Sequence, residues 1–318
     1  MLPARLDDIV VFPMSGYINR LQTIASAAIL AEQYGARLRI CWIPFSLAPS
    51  PADAVFSQRF CDEFIISEES ALDLYQLDVN QIPIYVSRSP GMVSLRGADK
   101  GEQALMIEVE RSIQQESPQI LVIVSGGSFF RDVPGFTMND YRNRKSDFYR
   151  ALPLHSEIEG SVSKILGTRP SPYLGLHLRY TDRSGQAPLD RAIRKALRFQ
   201  SEATGISSVF VAADSARSRD HWVTECVKLG LDPWCVDHLS MRREDALSAH
   251  PALIDWKLLG HASRLVYFTA SSFAVEAAVM SGTWQLSSGL EPHPLRAGYV
   301  RVSEYAGAGY RRLRRGRS

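Results

Sequence analysis

The run Ile9-Val10-Val11-Phe12, the turn Pro13-Met14-Ser15-Gly16, a helical spacing of apolar residues from Arg20 to Tyr34, and Arg37-Leu38-Arg39-Ile40-Cys41-Trp42 decide the fold. Four consecutive apolar residues before a glycine turn read as a buried strand. The 3.6-residue period that follows reads as a helix, which Gly35 stops, and the alternating stretch after it reads as a second strand. Strand, turn, helix, strand is a βαβ unit, from which doubly wound sheets are built. Phe64-Ile65-Ile66, Ile84-Tyr85-Val86 and Ile120-Leu121-Val122-Ile123-Val124 are further strand candidates, the last running into Ser125-Gly126-Gly127-Ser128. The first half is expected to form one α/β domain.

Between Phe129 and Pro153 apolar density falls and charge rises, as in Asp140-Tyr141-Arg142-Asn143-Arg144-Lys145, which predicts a surface connection or domain boundary. A second βα series follows. Strands are expected at Tyr173 to Leu178, Ser208 to Ala212 and Arg264 to Phe268; helices are expected at Leu189 to Thr204, His221 to Leu229, Ala252 to Ala262 and Phe273 to Met280. The expected organisation is an N-terminal Rossmann-like domain over 1–150 and a C-terminal one over 151–318, facing each other across a cleft. A chain of 318 residues suits two such domains, and its 45% hydrophobic content suffices for two cores.

Charge excludes some partners. Thirty-six basic against 34 acidic side chains leave a formal charge of +2, so no global field points to nucleic acid or to a membrane surface. The basic cluster Arg311, Arg312, Arg314, Arg315 and Arg317 reads as a solvated tail. No signal-peptide pattern and no run of about 18 apolar residues is present, so a soluble, cytosolic protein is expected. The four cysteines, Cys41, Cys61, Cys226 and Cys235, lack metal-type spacing and read as buried free thiols. No H-E-x-x-H, histidine–carboxylate cluster or G-x-S-x-G occurs, which argues against a zinc hydrolase or a serine esterase.

The stretch Gly175-Leu176-His177-Leu178-Arg179-Tyr180-Thr181-Asp182-Arg183 carries the chemistry. Apolar residues run to Leu178, and polar ones crowd the strand's C-terminal end, where open α/β sheets bind ligands. A guanidinium there can fork onto two phosphate oxygens and neutralise charge growing on a diphosphate leaving group. Ser271 and Ser272 follow a strand and open a helix, a position that suits anion binding, plain N-capping, or both at once. Gly16 and Asn19 mark the first strand-to-helix turn, where glycine admits close backbone approach and Asn19 can hydrogen-bond a ligand or cap the helix. No D-x-D segment for holding a diphosphate through a cation is found.

Gly-x-His-x-Arg-x-Thr-Asp at a strand end resembles the H-x-R-R-T-D-K segment of the core α-1,6-fucosyltransferases and their rhizobial nodulation relatives. Gly16-Tyr17-Ile18-Asn19-Arg20-Leu21 is similar to the G-x-x-N-R/Q opening of the fucosyltransferase superfamily, which includes the protein O-fucosyltransferases. Phe148-Tyr149-Arg150-Ala151-Leu152 resembles its F-Y-R-S-L linker, and Phe210-Val211-Ala212-Ala213-Asp214-Ser215 its F-x-A-S/T-D segment. Asp255 through Ser272 resembles its late helix, strand and serine turn. The matches keep the family's order and cover most of the chain.

The resemblance implies a GT-B fold with the donor on the second domain and the acceptor approached from the first, inversion at the sugar, and no metal or other cofactor. Arg179 falls at the family's phosphate arginine, His177 in its donor site, and Asp255 at the position that reads the guanine edge. Tyr180 stands where a second arginine is common, and Ala187 where some members carry a glutamate. For the catalytic base, Asp182 comes first and Asp190 second, with the alternative that Asp182 orients Arg179 or Arg183. The implied function is transfer of a sugar, first fucose, from a GDP-sugar to an acceptor hydroxyl on a glycan, lipid-linked glycan, protein or small molecule. The alternatives are another nucleotide-sugar donor on the same fold, or a noncatalytic sugar-nucleotide or glycan-binding relative.

Overall fold

The computed structural model describes residues 6–75, 92–96, 102–131, 133–179, 186–238, 247–290 and 300–302. Contacts divide the chain into two compact units, Met1–Ile158 with Ser240–Ala252, and Glu159–Leu239 with Leu253–Ser318. The expected boundary after residue 150 falls in the last turn of a helix, Met138–Ala151, and the contact division lies farther on, within the next helix.

The first unit runs β1 (Asp8–Pro13), α1 (Tyr17–Tyr34), β2 (Arg37–Ile40), α2 (Gln58–Phe64), α3 (Glu68–Tyr75), β3 (Met92–Arg96), α4 (Glu102–Glu116), β4 (Ile120–Ser125) and α5 (Met138–Ala151). Its strands form a parallel sheet in the order β2-β1-β4-β3, with Ile9 beside Leu38 and Leu121. Every residue of β1 is buried, as expected for a central strand covered on both faces. Val10, Phe12, Val122 and Val124 share one face and pack on Ala71 and Tyr75 of α3. Gly35 ends α1 in the left-handed region at φ 64°, where its amide caps the carbonyls of Ala31 and Glu32.

The second unit runs through α6 (Ser156–Thr168), β5 (Leu174–Leu178), α7 (Gln186–Thr204), β6 (Ser208–Ala213), α8 (Ala216–Lys228), β7 (Asp232–Trp234), α9 (Ala249–Gly260), β8 (Arg264–Phe268), α10 (Ser272–Ser281), β9 (Ser288–Leu290) and β10 (Val300–Val302). The helices α6 and α9 are the two in which the chain passes between units. The sheet order is β10-β9-β8-β5-β6-β7, parallel except for the β9–β10 pair. Alternation along the strands separates two faces. Leu174, Leu176 and Leu178 pack with Val209, Val211, Val266 and Phe268 under Ile193 and Leu197 of α7 and Trp222 of α8. On the other face Gly175 lies under α9, where an added Cβ would stand 3.1 Å from both Ala262 Cβ and Leu259 Cδ2. Glycine suits this close approach, since a larger residue would press the helix side chains outward.

The fold class is α/β with parallel sheets, as expected, with three local differences. Phe64-Ile65-Ile66 is not a strand: Ser57 caps α2 by accepting from the Phe60 amide, and the apolar residues Phe56, Phe60 and Phe64 stack at helical spacing. Ile65 keeps only an isolated parallel bridge to Ile40. The polar region from Phe129 to Pro153 holds α5, started by a Thr137–Asp140 capping box. Its buried face is polar but bonded, Tyr141 to Ser26 Oγ at 2.7 Å and Lys145 to Ser128 Oγ at 2.9 Å, so an apolar count does not reveal it. Several helices also begin a turn before the expected start; Ser215, for instance, caps α8 ahead of His221. The strand candidate Ile84-Tyr85-Val86 and the basic tail lie outside the described residues. Among the described residues, no helix is long and apolar enough to cross a membrane.

Candidate functional site

In the second unit the chain leaves β5 for β6 and β7 on one side, then returns across β5 to place β8 on the other. Strand order therefore reverses between β5 and β8, and the C-terminal edge of such a reversal is the ligand-binding crevice of doubly wound folds. Three strand ends meet there. The first brings His177 and Arg179, the second Asp214, and the third Thr269 to Ser272. The amide of Asp214 donates to the Leu178 carbonyl at 3.2 Å, which ties the first two ends together.

His177 points to the α9 and α10 face of the sheet. Its ring stacks on Phe273 with centroids 4.9 Å apart and an interplanar angle of 22°. The residue is 6% exposed and Nδ1 has no hydrogen-bond partner among the described residues. Burial pushes its pKa down from 6.5 to about 4; Asp214 opposes the shift and Arg179 adds to it. The imidazole is thus neutral at physiological pH and feels both charges. Arg179 is half-buried at the end of β5. Asp182, Tyr180, Thr181 and Arg183 lie outside the described residues.

Ser271 occupies the N-cap position of α10, yet its hydroxyl does not cap the helix. The residue is 1% exposed and Oγ has no hydrogen-bond partner among the described residues. Plain capping by the Ser271 side chain is therefore not seen. Its carbonyl accepts the Ala274 and Val275 amides, and the preceding N–H groups of a helix have no acceptor within it. A buried, unspent hydroxyl beside such amides suits an anion oxygen. Ser272, the first residue of α10, is half-buried.

Asp255, on α9, does not stand alone as a surface carboxylate. Its Oδ1 lies 2.9 Å from His238 Nε2, with side chains 15% and 8% exposed. Burial raises the carboxyl pKa, while the His238 bond and the Arg219 charge pull the other way. His238 went unnoticed in the sequence because it follows β7 and meets Asp255 only through the fold. Asp190, the second candidate base, faces His221 at 3.5 Å across α7 and α8.

The turn after β1 belongs to the first unit. Gly16 has φ −69° and an added Cβ would touch nothing within 4 Å, so the backbone there does not require glycine; its bareness leaves open space. The strained residue is Ser15, at φ 71°. Asn19 is not the cap; its side-chain amide donates to Ser15 Oγ at 2.9 Å. Beside it stands Arg20, to which the sequence assigned no role. The guanidinium is buried between Trp42 and Phe45, 4.4 and 4.5 Å from the ring centroids. It donates to the carbonyls of Ser15 and Ile43 at 3.1 and 2.6 Å, and Nη1 has no partner among the described residues. Burial lowers its pKa to about 10, so it stays cationic at neutral pH. An arginine directly after the quoted Asn19 was the available signal.

The free thiols Cys41 and Cys226 are buried and pushed up to about 12 by burial, while Cys61 and Cys235 are half-buried.

This second-unit edge and first-unit turn belong to a fold already seen in sugar-transferring enzymes. FUT1 of Arabidopsis thaliana, solved with GDP, superposes with a TM-score of 0.65 at 14% identity over 91% of this chain and 71% of that one. The NodZ fucosyltransferase from Bradyrhizobium gives 0.57 at 18% identity over 92% and 97%. POFUT1 in complex with GDP gives 0.51 at 12% identity over 87% and 94%. At such identities the likeness shows the fold, which is the one these fucosyltransferases share. No protein-family model matches the sequence, and no curated protein matches it significantly.

Proposed function

We propose that this chain is an inverting glycosyltransferase that takes a sugar from a GDP-sugar, first GDP-fucose, and passes it to an acceptor hydroxyl. The observation that carries the reading is the β5–β8 edge: Arg179, the neutral imidazole of His177 and the unspent hydroxyl of Ser271 stand at adjoining strand ends. Those groups are a cation and polar contacts for a diphosphate. The solved structures of this fold that hold GDP or GDP-fucose support that choice of ligand.

In the proposed reaction an acceptor oxygen attacks the anomeric carbon from the face opposite the nucleotide. The new C–O bond forms as the bond to the diphosphate breaks, and GDP leaves with its bonding electrons. Arg179 and the amides opening α10 stabilise the charge growing on the diphosphate. The acceptor proton passes to a carboxylate, for which Asp182 is the first candidate; Asp190 is second because it is already held against His221. No cation is assigned to the diphosphate, since arginine supplies the charge. Asn19, the open space at Gly16 and the buried Arg20 are assigned to substrate binding from the first unit. The same edge would serve another nucleotide-sugar donor, and a binding protein that has lost turnover is the remaining alternative.

The nucleotide decides among these. An ionised carboxylate offers about four lone-pair sites, so Asp255 can accept from His238 and still from guanine N1–H and the exocyclic amine. Uracil has no such pair of donors on one edge. Calorimetric titration should show GDP binding more tightly than UDP. Asp255→Asn keeps an acceptor for His238 but presents an N–H to guanine, and should weaken GDP by about 1.5–3 kcal/mol while leaving UDP unchanged. Equal GDP and UDP affinities in the unaltered protein would overturn the guanine site, and GDP-sugar binding without turnover across acceptor classes would favour the binding protein.

A further inference from the structure

Contrary to the expectation that the chain has no histidine–carboxylate cluster, His155, Glu157 and His250 come together in the first unit, away from the sheet edges. A ring nitrogen of each histidine and a carboxylate oxygen lie within 4.8 Å of one another. The two imidazoles stack with centroids 5.3 Å apart and planes at 29°. His155 and Glu157 flank the start of α6, and His250 sits in the first turn of α9, the two helices in which the chain changes unit.

The hydrogen positions follow from the partners. His250 Nε2 lies 2.8 Å from the Ala54 carbonyl oxygen, which can only accept, so Nε2 carries the hydrogen. In the neutral ring Nδ1 then holds a lone pair, and it faces Glu157 Oε2 at 3.5 Å. A lone pair set against a carboxylate calls for a cation, either a proton on Nδ1 or a metal ion shared by both atoms. His155 favours the metal: a second imidazole adds nothing to a histidine–glutamate ion pair but supplies a second ligand nitrogen within reach of the same ion. The carbonyl that holds the far nitrogen of His250 is also the kind of partner that orients ligating histidines. His155 Nδ1 accepts from the Glu157 amide at 3.3 Å; ligation through either ring nitrogen replaces that one long bond.

We propose that His155, Glu157 and His250 bind a divalent transition-metal ion, zinc first, with water completing the coordination. Two imidazoles and a carboxylate suit zinc or nickel and are poor ligands for magnesium or calcium, which take oxygen. Glu157 is 69% exposed and His250 13%, so a hydrated ion reaches the site from the carboxylate side. The bound ion would fasten the start of α6 to the start of α9 within the first unit. It has no part in the proposed transfer reaction.

Tag-free, full-length protein stripped with EDTA and exchanged into metal-free buffer is titrated with ZnCl2 by calorimetry and with CoCl2 by visible absorption. One Zn²⁺ per chain and cobalt ligand-field bands are expected, with histidine ring signals shifting in NMR on zinc addition. His250→Ala should abolish both signals, and Glu157→Gln should weaken zinc by at least about 10-fold. Circular dichroism checks the fold of each variant, and His155→Gln replaces His250→Ala if that one fails to fold. Absence of saturable zinc binding in the wild-type chain would overturn the site, as would unchanged affinity in the folded variants. Because no readout involves nucleotide, failure of the donor reading leaves this test intact.

Discussion

Replacing His177 with phenylalanine separates what this buried imidazole costs the fold from what it does for a ligand. The ring titrates at about 4 in the folded protein against an ordinary 6.5, chiefly because burial disfavours its charged form. As pH falls below 6.5 the unfolded chain takes up a proton here that the folded chain refuses until about 4. Stability is therefore fully present above 6.5 and drains away between 6.5 and about 4. At about 1.4 kcal/mol for each pH unit, the loss through this one group comes to roughly 3 kcal/mol. Phenylalanine keeps the stack on Phe273 and removes the titration together with the unpartnered Nδ1. The assay is urea denaturation of both proteins across that range, with the wild-type histidine followed by ring NMR. The two stability curves should diverge by up to roughly 3 kcal/mol as the pH drops, and GDP affinity at pH 7 should fall by about 1 kcal/mol in the variant. Parallel curves, or a His177 midpoint at its ordinary value, would refute the burial argument; unchanged GDP affinity would remove the imidazole from the donor site.

Arg179→Ala should leave the fold intact and lower transfer by at least about 100-fold, the scale for losing a group that stabilises developing charge; near wild-type turnover in the purified variant would dismiss the phosphate site. Transfer measured in excess EDTA should match untreated enzyme at a temperature where both are folded, because arginine takes the cation's part at the diphosphate; loss on chelation restored by Mn²⁺ or Mg²⁺ would contradict that assignment.

Much of the fold was legible because strand burial leaves a continuous apolar signature. Ile120 to Val124 and Arg264 to Phe268 are strands buried on both faces, and their sequences contain little else. Helices escaped where the buried face was made of polar groups satisfied by partners elsewhere in the chain. In α5 the partners Ser26 and Ser128 are set by tertiary structure, so Tyr141 and Lys145 read locally as solvent-facing. The site divides the same way. Arg179, His177 and Ser271 were legible because strand ends are local features. His238 beside Asp255, and His250 beside Glu157, are pairings between distant segments for which neither residue carries a local mark.

One physical feature unites His177, Ser271 and Arg20: each is expensive where it stands. His177 is a buried ring with a bare nitrogen, and Ser271 a buried hydroxyl that forgoes the cap it is placed to make. In the first unit Arg20 is a buried cation held by carbonyls and aromatic rings, with Nη1 unmet. Each unmet group costs about 1–3 kcal/mol against an apolar residue of similar shape. A core built only for stability fills such positions with leucine or phenylalanine, as the opposite face of β5 does with Leu174, Leu176 and Leu178. At the β5–β8 edge, a ligand that brings acceptors to His177 and Ser271 recovers the cost on binding. Sites prepared in this way are destabilising when empty, and that is the pattern His177 and Ser271 make at the β5–β8 edge.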